Sequence, residues 1–255
     1  MMTGAMMSGP VVDTPSALEF QREIMGRASE AQLQGIAADL GRKSEALQDL
    51  LSAGPSRLDG AALRQLLRWV FATRRRADQI VGSVGAAPLA AAIAGLLAEG
   101  DPVADRIDRF DAALAGCGAL AAPAGPLFDL PAELLHFTSP DRYWLWTRWI
   151  WSPGARTGAL ALVTTDDVDL GEGATRGAVY LTVGRAMAFV EETGKAAGFT
   201  TVGPGLFGAD VFLAAVYAVT MYTVLRMRMT REFNRVVPPL PDLVRRLLGV
   251  YHVGG

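Results

Sequence analysis

The chain has 255 residues, 51% of them hydrophobic and 20% charged, with 24 Lys and Arg against 26 Asp and Glu. This composition excludes an intrinsically disordered chain, and a formal charge of −2 excludes a globally basic nucleic-acid binder while leaving room for a local basic stripe. The single cysteine, Cys117, excludes an internal disulfide, a thiolate zinc site and a protein-ligated iron–sulfur cluster within the chain; two histidines, His136 and His252, leave little imidazole for metal or acid–base work.

Residues 1–13 are Met- and Gly-rich without a basic stretch ahead of an apolar one, and read as a disordered tail rather than a signal peptide. A helix is predicted from Thr14, opened either by Ser16 and Glu19 at capping-box spacing or by Thr14 and Pro15 as N-cap and first helical residue. It continues to Ala53-Gly54-Pro55. Leu33, Ile36, Leu40, Leu47 and Leu50 fall on an a/d seam with Lys43 in one d position, which predicts an amphipathic arm exposed to a partner. A second helix is predicted over 59–81. Leu63, Leu66, Leu67, Val70 and Val81 lie on one side of it, and Arg64, Arg68 and Arg75 on the other, with Arg74 and Arg76 adjacent. Residues 88–99 form a short Ala-rich helix. Asp101 and Pro102 then open another, striped by Val103, Ile107, Phe110 and Leu114. Residues 14–115 thus read as a helical bundle, 116–128 as a linker and 129–255 as a helical C-terminal domain.

In that second half, 131–137 is a helical turn and Ser139-Pro140-Asp141 opens an aromatic helix carrying Tyr143, Trp144, Trp146, Trp149 and Trp151. A short strand fits 158–163, an acidic loop 164–173 and a helix 179–192. The uncharged run 211–225 is shorter than the about 20 residues a membrane span needs, so it reads as a buried core helix, with a membrane-embedded helix as the alternative. Pro238, Pro239 and Pro241 interrupt it, and a last helix over 242–248 stops at Gly249. The predicted fold class is mainly α: a helical N-terminal bundle joined to a helical Trp-rich C-terminal half, with at most one short strand pair.

Chemistry-bearing motifs are few. Glu133 and His136 form E-x-x-H, half of the set by which di-iron bundles hold metal, and no second copy exists because Gly249 stands three residues before His252. They remain weak metal-ligand candidates. Asp166, Asp167, Asp169 and Glu172 do not fit a calcium loop, since the position that requires glycine falls on Glu172. There is no nucleophile elbow and no phosphate loop. What the sequence does carry is arginine in two clusters. The first is Arg64, Arg68, Arg74, Arg75 and Arg76. The second is Arg226, Arg228, Arg231, Arg235, Arg245 and Arg246, set against only Glu232 and Asp242. If both fall on one side they make a phosphate-contacting surface.

The run Leu134-Leu135-His136-Phe137-Thr138-Ser139-Pro140-Asp141-Arg142-Tyr143-Trp144-Leu145-Trp146 resembles a segment of helical proteins related to helix-hairpin-helix DNA glycosylases. The later order is similar too: a helix with Tyr180, then Gly208-Ala209-Asp210 leading into Val211-Phe212-Leu213. The resemblance covers a small part of the chain and departs from the family where Thr147 replaces its aspartate and where the Leu-Pro-Gly-Ile-Gly hairpin is missing. It implies a helical scaffold and does not imply base excision.

The function expected from these features is that of a non-catalytic, cytoplasmic interaction or accessory protein without a cofactor. It docks on a protein partner through Arg64, Arg68, Arg75, Arg226, Arg228, Arg231 and Arg235 and through Trp144, Trp146 and Trp149, since Arg and Trp are enriched at interfaces. Two alternatives stand beside it. One is a DNA-acting protein on a degenerate glycosylase-like scaffold, with nucleic acid bound by the arginine clusters. The other is a membrane-associated subunit using 211–225.

Overall fold

Capping groups decide where the helices begin and break. The computed structural model describes residues 11–123, 125–171, 175–200, 207–228 and 238–250, with backbone alone at 224–228. The first helix, α1 (Thr14–Met25), is capped by Asp13 rather than by Ser16 or Thr14. The Asp13 carboxylate accepts from the Ser16 N–H at 3.2 Å and from Ser16 Oγ at 2.6 Å. The single helix expected up to residue 53 is broken at 26–29, because Ser29 starts α2 (Glu30–Leu51) with a complete capping box. Gln32 N–H donates to Ser29 Oγ at 3.2 Å and Ser29 N–H donates to Gln32 Oε1 at 2.9 Å. Residues 1–10 lie outside the described residues; Val11 and Asp13 bond to Thr165 and Val163, and Val12 bridges Thr164.

The helix expected over 59–81 is also two. Asp59 caps α3 (Gly60–Trp69) by accepting from the Ala62 N–H at 2.8 Å. At Val70 the chain leaves helical geometry (φ −92°, ψ 123°), and Thr73 Oγ1 donates to the Leu67 carbonyl at 2.6 Å, satisfying an acceptor that a helix end leaves open. The chain re-enters helix at α4 (Ala77–Val84), so Arg74, Arg75 and Arg76 occupy a turn rather than a helical face. Gly85, at φ +86°, then bends the path by 98° into α5 (Ala86–Leu97). Next come α6 (Val103–Leu114), α7 (Leu130–Thr138), α8 (Arg176–Ala197), α9 (Gly208–Arg228) and α10 (Leu240–Leu247).

These ten helices share one apolar core. Within it α6 lies against α5 and α8, α2 against α7, α9 and α10, and α9 against α1 and α8 as well. The a/d seam of α2 is not an exposed arm. Leu33, Ile36, Leu40 and Leu47 are at most 1% exposed because α7 and α9 cover them, each burial worth roughly 1.5–3 kcal/mol. In α9, residues 211–216 are 0–2% exposed, which fits the core-helix reading. Among the described residues no single helix is long and apolar enough to cross a membrane.

The aromatic helix expected after Ser139 does not form. Its backbone bonds are made partly in short turns, where Ile150 and Trp151 N–H donate to the Thr147 carbonyl at 2.9 and 3.0 Å, and partly to distant groups: Arg148 N–H donates to Asp129 Oδ1 at 2.8 Å, while the Trp149 and Ile150 carbonyls accept from Ala159 and Leu160 N–H at 2.9 and 3.0 Å. No strand is present among the described residues. Residues 160–162 of the expected strand make a 3₁₀ turn, and only isolated bridges, Val12 with Thr164 and Ser152 with Thr157, are extended.

Candidate functional site

Two groups of charged residues stand out, one in the core and one in a cleft. The core group hangs on α7, whose E-x-x-H spacing puts Glu133 and His136 on one face. Lys43 of α2 donates to Glu133 Oε2 at 2.9 Å and to the Leu248 carbonyl, just past α10, at 2.9 Å; its ammonium also lies 4.0 Å from the centre of the Phe137 ring. Burial pulls the Lys43 ammonium below its usual range and pushes the Glu133 carboxyl above its own, and each partner's charge opposes the other's shift. His136 Nδ1 lies 2.7 Å from the Tyr143 carbonyl and Nε2 lies 3.0 Å from Asp210 Oδ2 on α9. The second approach is an ion-pair contact and not a well-aligned hydrogen bond. Both ring nitrogens face oxygen acceptors, which favours the doubly protonated ring. Burial acts against that charge, but the Asp210 carboxylate and the Tyr143 carbonyl outweigh it and hold the His136 pKa above its ordinary 6.5.

Lys43, Glu133, His136 and Asp210 are all 1–2% exposed. Their arrangement ties α2, α7, α9 and the end of α10 together, and none of the four lines either cleft described below. Among the described residues, no three His, Cys, Asp or Glu side chains are grouped to hold a metal ion.

The cleft is a different environment. Its volume is about 560 Å³, and Arg74, Arg75, Arg76, Arg148 and Arg246 wall it. The rest of the lining is mainly apolar: Tyr217 and Met221, one turn apart on α9, Leu243 and Leu247, one turn apart on α10, and Phe71. No Asp or Glu lines it among the described residues. Arg74 joins the two arginine clusters directly, since its Nη1 donates to the Arg246 carbonyl at 3.4 Å while its guanidinium lies 4.2 Å from the Phe71 ring centre. Burial lowers the Arg74 pKa, and the nearby charges of Arg75 and Arg246 lower it further. A guanidinium stays charged at neutral pH in spite of such a shift, so the charges of Arg74, Arg75 and Arg246 lie close together.

A second cleft, of about 670 Å³, shares Arg148 with the first. Its charges are compensated. Arg176 pairs with Asp111 at 2.5 Å and Arg148 with Asp129 at 3.1 Å, against a wall of Phe128 and Trp146.

Of the residues singled out in the sequence, Arg75 lines the arginine cleft, whereas Arg64 and Arg68 face Asp78 at 2.9 and 3.6 Å on α4. Arg226 and Arg228 fall on the last turn of α9, where only backbone is described, and Arg231 and Arg235 lie outside the described residues. Trp146 and Trp149 are 2% and 6% exposed and belong to the core, while Trp144 is half-buried against Gly184. The tryptophan cluster is packing, not surface: the Trp146 indole donates to the Trp151 carbonyl at 2.9 Å and leans on Tyr180. Sequence reasoning missed Arg148, Tyr217, Leu243 and Leu247 as cleft residues. The i, i+4 apolar pairs on α9 and α10 were the only signal available.

Comparison with known proteins finds no match: no family model, curated protein or solved structure is similar to this chain.

Proposed function

We propose that this chain is a non-catalytic docking protein that receives an anionic group of a partner macromolecule in the arginine-walled cleft. The observation that carries the reading is the meeting of two arginine groups, about 170 positions apart in sequence, on one cleft whose lining holds no carboxylate among the described residues. Opposite charge on the partner relieves the mutual repulsion of these cations, and removing them from water against an apolar lining strengthens the attraction. The placement of Lys43, Glu133, His136 and Asp210 also supports it: the groups suited to acid–base chemistry are in the core, away from the cleft.

The test is fluorescence anisotropy of the whole chain with fluorescein-labelled oligoglutamate across about 0.05–0.2 M salt, where screening of exposed charges changes strongly. The reading expects binding that weakens as salt rises and is lost in the Arg75→Glu/Arg76→Glu variant. Equal binding by that variant, or no binding by the wild type, overturns it.

A further inference from the structure

We infer that the occupant of the cleft is an acidic peptide segment that carries bulky apolar side chains; this rests on the docking reading and names the chemistry of the partner. Charge complementarity sets the sign of the occupant, since the exposed Arg75 and Arg76 stand in a lining that has no carboxylate among the described residues. The volume and the apolar lining set the rest. Tyr217 and Met221 on one helix and Leu243 and Leu247 on the other line the same cleft, in a volume typical of ligand sites. Met221 of this lining is 39% exposed, an apolar and flexible side chain of the kind that peptide-binding grooves use.

The same features disfavour nucleic acid and membrane. Single strands are held by bases stacked on open aromatic faces, but the Phe71 face is covered by the Arg74 guanidinium at 4.2 Å and the Tyr217 ring already leans on Trp149 at 6.3 Å. The apolar surface lines a concavity that also holds arginines. A bilayer engages apolar groups that protrude into it and does not follow the protein into a cleft. A flexible peptide does, placing Leu or Phe on the apolar lining while Asp or Glu meets the arginines, as helix-in-groove recognition does elsewhere.

The experiment compares two fluorescein-labelled peptides of equal charge, Glu-Glu-Leu-Phe-Glu-Glu-Leu-Phe and Glu-Glu-Ser-Ser-Glu-Glu-Ser-Ser, with oligo(dT), laurate and phosphatidylglycerol vesicles as further probes. The inference expects the Leu/Phe peptide to bind on the order of tenfold more tightly than the Ser peptide. Met221→Ser, at an exposed position, should erase most of that preference while leaving Ser-peptide binding and the unfolding midpoint unchanged. Equal affinity for the two peptides overturns this inference but leaves the docking reading in place, provided that binding still needs Arg75. Tighter binding of oligo(dT), laurate or vesicles than of the Leu/Phe peptide also overturns it. Failure of every probe to depend on Arg75 overturns the docking reading itself.

Discussion

Lys43 Nζ lies 2.9 Å from Glu133 Oε2 although 90 positions separate them, and both side chains are almost fully buried. Removing one member strands the other as an uncompensated charge in the core, which is far worse than removing both. Lys43→Met and Glu133→Leu should each lose about 3–5 kcal/mol of unfolding free energy, whereas the double variant should recover most of it. Urea unfolding of the three variants measures this. Additive losses would mean that the two groups do not act as a pair.

His136 makes stability depend on pH near neutrality. Its folded pKa is raised above 6.5, so the folded state binds the proton more tightly than the unfolded state does. The resulting stability is fully present below pH 6.5 and is lost as pH rises through the raised folded value. The unfolding free energy should therefore fall with pH from about 6 upward, by at most about 1.4 kcal/mol per pH unit, and His136→Gln should flatten the curve. Parallel curves for variant and wild type would remove His136 as the source.

Crowded cations in the cleft burden the free protein. Arg75→Glu should raise the stability of the unliganded chain slightly, by at most about 0.5 kcal/mol, because a like-charge contact with Arg74 becomes an opposite-charge one at an exposed position. The same substitution should weaken oligoglutamate binding. Thermal unfolding and anisotropy on the same preparation test both halves, and a variant that is less stable and also binds less would indicate a folding role for Arg75.

Gly177 sits where α8 begins against α6. Its N–H donates to Asp108 Oδ1 at 2.7 Å, and a Cβ added there would fall inside contact distance of the Ala104 carbonyl oxygen, which is backbone and cannot rotate away. Gly177→Ala should cost about 1–3 kcal/mol, while Gly82→Ala, where a Cβ meets nothing, should leave stability unchanged or improved. A comparison of the two unfolding midpoints checks the close approach of the helices.

The helical class and most of the apolar stripes were legible because helical spacing is a local property: Val103, Ile107, Phe110 and Leu114 announce α6 without help from the rest of the chain. The breaks were less legible. Whether a helix continues past Gly26 depends on a competing cap at Ser29 and Gln32, and past Trp69 on a hydroxyl at Thr73 that reaches back to Leu67. The segment after Ser139 was misread for a stronger reason. Part of its bonding runs to Asp129 and to residues 159–160, partners that no spacing within the segment announces. Each half of the arginine cleft was visible as a cluster, but their meeting through Arg74 and Arg246 is set by the docking of α10. Lys43 appeared only as a defect in an apolar seam, because the carboxylate that accounts for it lies on a different helix.

The Leu248 carbonyl that receives Lys43 follows directly on α10, the helix that also supplies Leu243, Arg246 and Leu247 to the cleft. Translation proceeds from the N-terminus, so α10 emerges after every other described helix. Until it does, Lys43 lacks one of its two acceptors and the cleft lacks a side. A ribosome-bound chain that reaches only residue 239 therefore lacks both the Leu248 acceptor and the α10 side of the cleft, so this part of the core and the cleft form in the same late step.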